Sequence, residues 1–152
     1  MRRLPLSMLA LSLFVAASAC GSDSTAPSPI TGLWDYSVSD ATDGVVTCDI
    51  TGVVLDLTQD GRSVVGEASG GSVSCSAVEG GTIPPDFLPP GVLRGGLLGS
   101  FIGGHIDLDG LDIDYKHTGS LTGFTLAGPV VITDEVPDGV RELVGTYSAV
   151  KR

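Results

Sequence analysis

The residues best suited to chemistry crowd one short stretch of this 152-residue chain. His105, Asp107, Asp112 and Asp114 surround an Asp109-Gly110 pair, and Tyr115 and His117 follow. Asp-Gly suits a tight hairpin turn, because both central residues of the favoured turn need positive φ. With the turn at 109–110, Leu108 pairs with Leu111 and Ile106 with Ile113 on one face. The opposite face then carries Asp107 beside Asp112, and His105 beside Asp114. Hard cations such as calcium take oxygen ligands, and like charges opposed on a ladder repel without a counter-ion. His105, Asp107, Asp112 and Asp114 are therefore a candidate divalent-cation site. The competing reading is a solvated acidic face. We favour it, because the spacing lacks EF-hand order and residues on one strand diverge from a common point.

Catalysis has less support. A Ser-His-Asp set can be assembled from any chain this rich in Ser and Asp, so its presence carries no weight. No Gly-x-Ser-x-Gly elbow occurs, and the glycines sit in strand and turn patterns rather than ahead of a helix. The expectation is a protein that is not an enzyme and holds no cofactor.

Cys20 carries a different chemistry. Arg2 and Arg3 form a positive start, Leu6 to Ala17 an apolar run, and Ala17-Ser18-Ala19 place small residues directly before Cys20. This order predicts a cleaved export signal over 1–19, with an apolar run too short for a spanning helix. A cysteine at this point resembles the lipobox of bacterial lipoproteins, although Ala17 stands where that motif prefers Leu. The resemblance implies lipid on Cys20, and several acyl chains at ~0.8 kcal/mol per buried methylene would anchor the chain stably. Ser22 stands where an Asp would suggest inner-membrane retention, so the outer membrane is the expected location. Gly21 to Pro29 is rich in Ser, Ala, Pro, Asp and Thr and reads as a flexible tether, giving 20–30 as lipidated cysteine and tether. Ordinary secretion, with Cys20 left as a free thiol, is the alternative.

The folded part is then 31–152, enough for one domain. Formal charge is −10, and loss of Arg2 and Arg3 with the signal takes it to −12. Such acidity repels phosphate backbones, so nucleic acid is excluded as a partner. With Cys20 lipidated, Cys48 and Cys75 remain as a pair in an oxidising compartment, which predicts a structural disulfide. Closing a loop of that length contributes roughly 3 kcal/mol by the chain-entropy estimate.

The elements that must position these residues are strands. No helical period appears after residue 30, and apolar residues alternate or fall in short β-branched groups. Asp-Gly recurs at 43–44, 60–61, 109–110 and 138–139, and there is no Asn to share the turn role. With Asp60-Gly61 as a two-residue turn, Leu57 faces Val64, Leu55 faces Gly66 and Val53 faces Ala68, while Thr58 meets Ser63 on the other side. Each hairpin thus has an inside and an outside. Strands are expected near 31–39, 45–58, 62–69, 72–77, 93–108, 111–118, 119–122 with 124–133, and 143–151. Pro84-Pro85 and Pro89-Pro90 make 80–91 a loop, with Phe87 and Leu88 placed to fold over a barrel mouth or plug a gap at its rim. Tight turns imply an antiparallel meander, and closing it into a barrel of about eight strands removes its edges. A sandwich would need longer crossovers. A membrane-spanning barrel would need aromatic girdles, and aromatics make up only 5% of the chain.

Gly32-Leu33-Trp34 opens the first strand, and Gly145 to Arg152 closes the last. An opening Gly-x-Trp with a basic residue on the final strand resembles the calycin superfamily of lipocalins, avidins and fatty-acid-binding proteins. The resemblance implies an all-β barrel in which Trp34 plugs one end and Lys151 or Arg152 packs across it. Thr133-Asp134-Glu135 only partly echoes the lipocalin Thr-Asp-Tyr, and no residue set suggests biotin. The family also implies a barrel able to bind an apolar small molecule, walled by Val53, Leu55, Leu57, Ile106, Ile113 and Leu126. The same side chains suit a filled core equally well. Two readings follow: an envelope-anchored, lipocalin-like binding module, which the resemblance favours, or a structural or protein-interaction lipoprotein with a filled barrel. The glycine-rich stretches at 95–104 and 119–128 lean towards the second, since glycine would let opposite walls approach, but the binding module is the reading we favour from the sequence.

Overall fold

The computed structural model of the chain describes residues 28–80, 82–83, 95–110, 114–136 and 139–152. Eight strands run in order: β1 (Gly32–Thr42), β2 (Val46–Asp60), β3 (Ser63–Ala77), β4 (Gly95–Ile102), β5 (His105–Gly110), β6 (Asp114–Thr122), β7 (Thr125–Val136) and β8 (Gly139–Lys151). Each pairs antiparallel with the next, and β8 returns to β1, so the meander closes into a barrel. Closure gives ladder partners to strands that would otherwise be edges.

Alternation decides which side chains go inside. On β1, Trp34, Tyr36 and Val38 are buried while Leu33, Asp35 and Ser39 face out. Ile50, Val53, Leu57, Val64, Ile106, Val130, Ile132 and Leu143 complete the interior. Two register shifts in β1, between Tyr36 and Val38 and between Val38 and Ala41, bend that strand around the barrel. Cys48 lies directly opposite Cys75 on the β2–β3 ladder, and the two form a disulfide.

Several expected boundaries and registers are corrected. The β2–β3 hairpin turns at Gly61-Arg62 rather than Asp60-Gly61, since Asp60 stays in the ladder opposite Ser63 and only Gly61 takes positive φ. Leu57 therefore pairs with Gly66, Leu55 with Ala68 and Val53 with Gly70. Moving the turn by one residue moves each partner by two, so every side chain keeps its face. The stretch expected as one strand over 93–108 is two, broken at Gly103-Gly104, where both residues have positive φ. Residues 62–69 and 72–77 join into one strand, as do 114–118 and 119–122.

The β5–β6 register departs furthest. Asp109 and Gly110 remain in β5, held there by pairing with Leu98 and Leu97 of β4. Ile106 faces Gly119, Asp107 faces Thr118 and His105 faces Ser120, so the acidic pairs expected across this hairpin do not form.

Five inward-facing glycines shape the wall. A Cβ on Gly66, Gly99, Gly119, Gly128 or Gly145 would collide with the backbone of the neighbouring strand. These positions let adjacent strands coil sharply, as a small barrel requires. The close approach is between neighbours, not between opposite walls.

Candidate functional site

The two barrel ends differ. One end gathers the start of β1, the end of β8 and the turns after β2, β4 and β6. Here Trp34 is fully buried, and its indole N–H donates to the Ile30 carbonyl at 2.8 Å. The Lys151 ammonium lies 5.5 Å from the Trp34 ring centroid and donates to the Pro29 carbonyl at 3.0 Å. Lys151 is thus the side chain over the tryptophan. Arg152 turns outward, donating to Asp35 through Nε at 2.9 Å and Nη2 at 2.6 Å. That guanidinium bond, aided by its charge, holds the Asp35 carboxyl below the usual carboxylate range.

Deeper in the barrel lies a layer that the sequence reading did not single out. Tyr36 from β1, Tyr115 and His117 from β6, and Tyr147 from β8 all point inward and are buried. Their rings pack at 5.1–6.0 Å, with Tyr36 stacked on Tyr147 and His117 edge-on to both. Tyr36 Oη lies 2.6 Å from His117 Nε2, and His117 Nδ1 lies 3.2 Å from the Leu108 carbonyl. A carbonyl only accepts, so the proton sits on Nδ1 and Nε2 accepts from the Tyr36 hydroxyl. Burial pushes the His117 pKa down to about 4, against the opposing pull of the Leu108 carbonyl and Asp109. The imidazole is neutral at pH 7 and both its nitrogens are engaged. Burial likewise raises Tyr36 and carries Tyr147 up to about 12. Among the described residues the buried Tyr147 hydroxyl has no hydrogen-bond partner, and it lies against Gly119, where any Cβ would strike it.

The wall positions expected to line a ligand pocket divide simply. Val53, Leu55, Leu57, Ile106 and Leu126 are all core residues, and Ile113 lies outside the described residues. Of the candidate cation set, His105 and Asp107 sit on the exposed face of β5, and His105 Nδ1 is 3.1 Å from Ser120 Oγ. The backbone of Asp114 pairs with Thr133 on β7, and Asp112 lies outside the described residues. Among the described residues no group of three or more His, Cys, Asp or Glu side chains is arranged to hold a metal ion. Cys20, Phe87 and Leu88 also lie outside them. A cavity of about 570 Å³ opens on the barrel wall, lined by Asp109, Gly110, Tyr115, Lys116, Val131, Thr133 and Glu142. Most of these side chains are outward-facing, so the cavity is a groove across β5 to β8 and not the barrel lumen.

One signal for the buried layer was present. Tyr36, Tyr115, His117 and Tyr147 all share strand parity with apolar neighbours, whereas Lys116 and Thr118 take the other face. No protein-family model, curated protein or solved structure matches the chain.

Proposed function

We propose that this chain is an envelope lipoprotein, anchored through lipid on Cys20 at the outer membrane, whose calycin-like barrel is a filled scaffold. Its working part on this reading is the acidic outer wall, offered to other envelope components, and no reaction is assigned to it. One observation carries the choice of a filled barrel over a hollow one. Trp34 and Ala41 of β1, Cys48, Ile50, Val53 and Leu57 of β2, Val64, Ile106, Val130, Ile132, Leu143 and Ala149 all have 0% exposure. A side chain bordering a space wide enough for water would keep some accessible surface. Six of the eight strands each supply at least one such side chain, and the buried Tyr36, Tyr115, His117 and Tyr147 keep only 4–7%. The Tyr36–His117 bond also crosses the lumen, joining β1 to β6.

A binding role for an apolar small molecule with one polar group is the second reading, and the unpartnered Tyr147 hydroxyl favours it. The test uses the full-length chain, expressed with export. Cys20→Ser is expected to move the protein from the membrane fraction to the soluble fraction, and unchanged fractionation would remove the anchor. Native mass spectrometry of the purified protein should give the acylated, disulfide-closed chain alone. A retained small-molecule mass would replace the scaffold reading with the binding one.

A further inference from the structure

The plugged end of the barrel carries apolar side chains that the fold does not use. Phe124, at the tip of the β6–β7 turn, is 75% exposed. Leu33 and Val150 stand outward on β1 and β8 at 42% and 47%, near the β6–β7 turn, and Ile102 borders the β4–β5 turn on the other side of the same rim at 51%. These tips are held firmly. Phe101 N donates to Arg62 O, Leu121 N to Gly104 O, Lys151 N to Phe124 O, and Arg152 N to Leu33 O, which stitches each turn or terminus to its neighbour. Phe124, Val150 and Leu33 stand on adjoining backbone, so they form a patch rather than scattered single residues.

Two further observations identify what covers it. The chain enters the barrel at this same end, through Ser28, Pro29 and Ile30, with Cys20 eight residues before Ser28. Eight residues reach at most about 28 Å when fully extended. A lipid on Cys20 would therefore keep this end nearest the bilayer. Charge agrees. Arg62, Lys151 and Arg152 gather here, three of the five described basic residues on a chain of formal charge −10, against Asp60 beside Arg62 and Asp35 paired with Arg152. The opposite end also has apolar tips, Val45 and Val140, but Asp43, Glu79 and Glu142 stand there against Lys116 and Arg141, the latter paired with Asp43.

We propose that the Trp34-plugged end is a membrane-contact face, on which Phe124 and Ile102 enter the headgroup region of the bilayer that anchors the chain, beside Arg62, Lys151 and Arg152. This rests on the anchoring reading above. A short tether holds the face at high effective concentration, so two or three apolar side chains suffice to set the orientation. The acidic remainder of the barrel is repelled by anionic lipid and points away.

The test uses full-length acylated protein in phosphatidylethanolamine–phosphatidylglycerol vesicles, with and without brominated acyl chains. Trp34 emission is subtracted using the unsubstituted protein. Phe124→Trp is expected to emit at shorter wavelength and to lose roughly half its intensity with brominated lipid, as a residue at interfacial depth would. Val140→Trp, at the far end, should be unaffected. Floated protein whose Phe124→Trp signal is unquenched, or quenched no more than Val140→Trp, overturns the contact face. If that signal is unquenched but shielded from a water-soluble quencher, a protein partner covers the end instead, which also overturns it. Failure of the protein to float with the vesicles would overturn the anchor and this inference with it.

Discussion

At the scale of single residues, His117 has the clearest thermodynamic signature. Its pKa falls from 6.5 to about 4 on folding because burial disfavours the imidazolium. Between those values the unfolded chain binds a proton that the folded chain does not, so stability rises with pH across that window. The contribution is complete above pH 6.5, and about 3 kcal/mol of it is lost by pH 4 at 1.36 kcal/mol per pH unit. Urea denaturation at steps from pH 7 to pH 4 should show this slope, and His117→Gln should flatten it. A slope that survives the substitution would place its origin elsewhere. Asp43 adds a separate loss at lower pH. Burial alone would raise its pKa, but N–H bonds from Val46 and Val45 at 2.8 Å, with Arg141 nearby, lower it overall.

The two tyrosine hydroxyls beside His117 should respond oppositely to removal. Tyr36→Phe deletes a made bond and is expected to cost about 1 kcal/mol, read as a lower Tm. Tyr147→Phe deletes a buried hydroxyl that has no partner, so Tm should hold or rise. A larger loss at Tyr147 than at Tyr36 would mean that its hydroxyl has a bound partner, and would favour the ligand reading.

At the scale of elements, the long β2–β3 hairpin depends most on its covalent link. β3 pairs with β4 only over Ser63–Ala68, so Ser69 to Ala77 have described ladder partners on β2 alone. The Cys48–Cys75 bond sits in that less supported half. Its loss should lower stability by about 3 kcal/mol, mainly by freeing the unfolded chain. Cys48→Ala and Cys75→Ala should lower Tm equally, and the double change should add little. Additive losses would mean that the two thiols act independently. The cysteine pair could be read from the sequence because the lipobox-like position accounts for Cys20 and leaves two. The register around it could not, because Asp60-Gly61 suits a turn centred on either side of Gly61. Pairing along the whole ladder decided between them.

At the scale of the molecule, the proposed anchoring through Cys20 is expected to be separable from folding. The barrel closes through β1 and β8, and among the described residues Trp34, Ile30 and Lys151 seal it. Cys20→Ser should therefore change fractionation while leaving Tm where it was. The acidic wall and the apolar, partly basic end give the barrel an axis, and a lipid surface would select one direction along it.

The sequence by itself determined the all-β class, the closed meander, the disulfide pair and the sorting of most side chains to inside or outside. These depend on local alternation and turn residues, which survive even a two-residue error in pairing. Only the tertiary structure decided the registers, which depend on ladder contacts with both neighbouring strands. It dissolved the acidic pairs expected between β5 and β6, because β4 holds Asp109 and Gly110 in the strand. It also made His117 a neutral core residue, since the hydroxyl that engages it belongs to Tyr36, 81 positions away in the chain. No local pattern encodes that meeting; closure of the barrel brings it about.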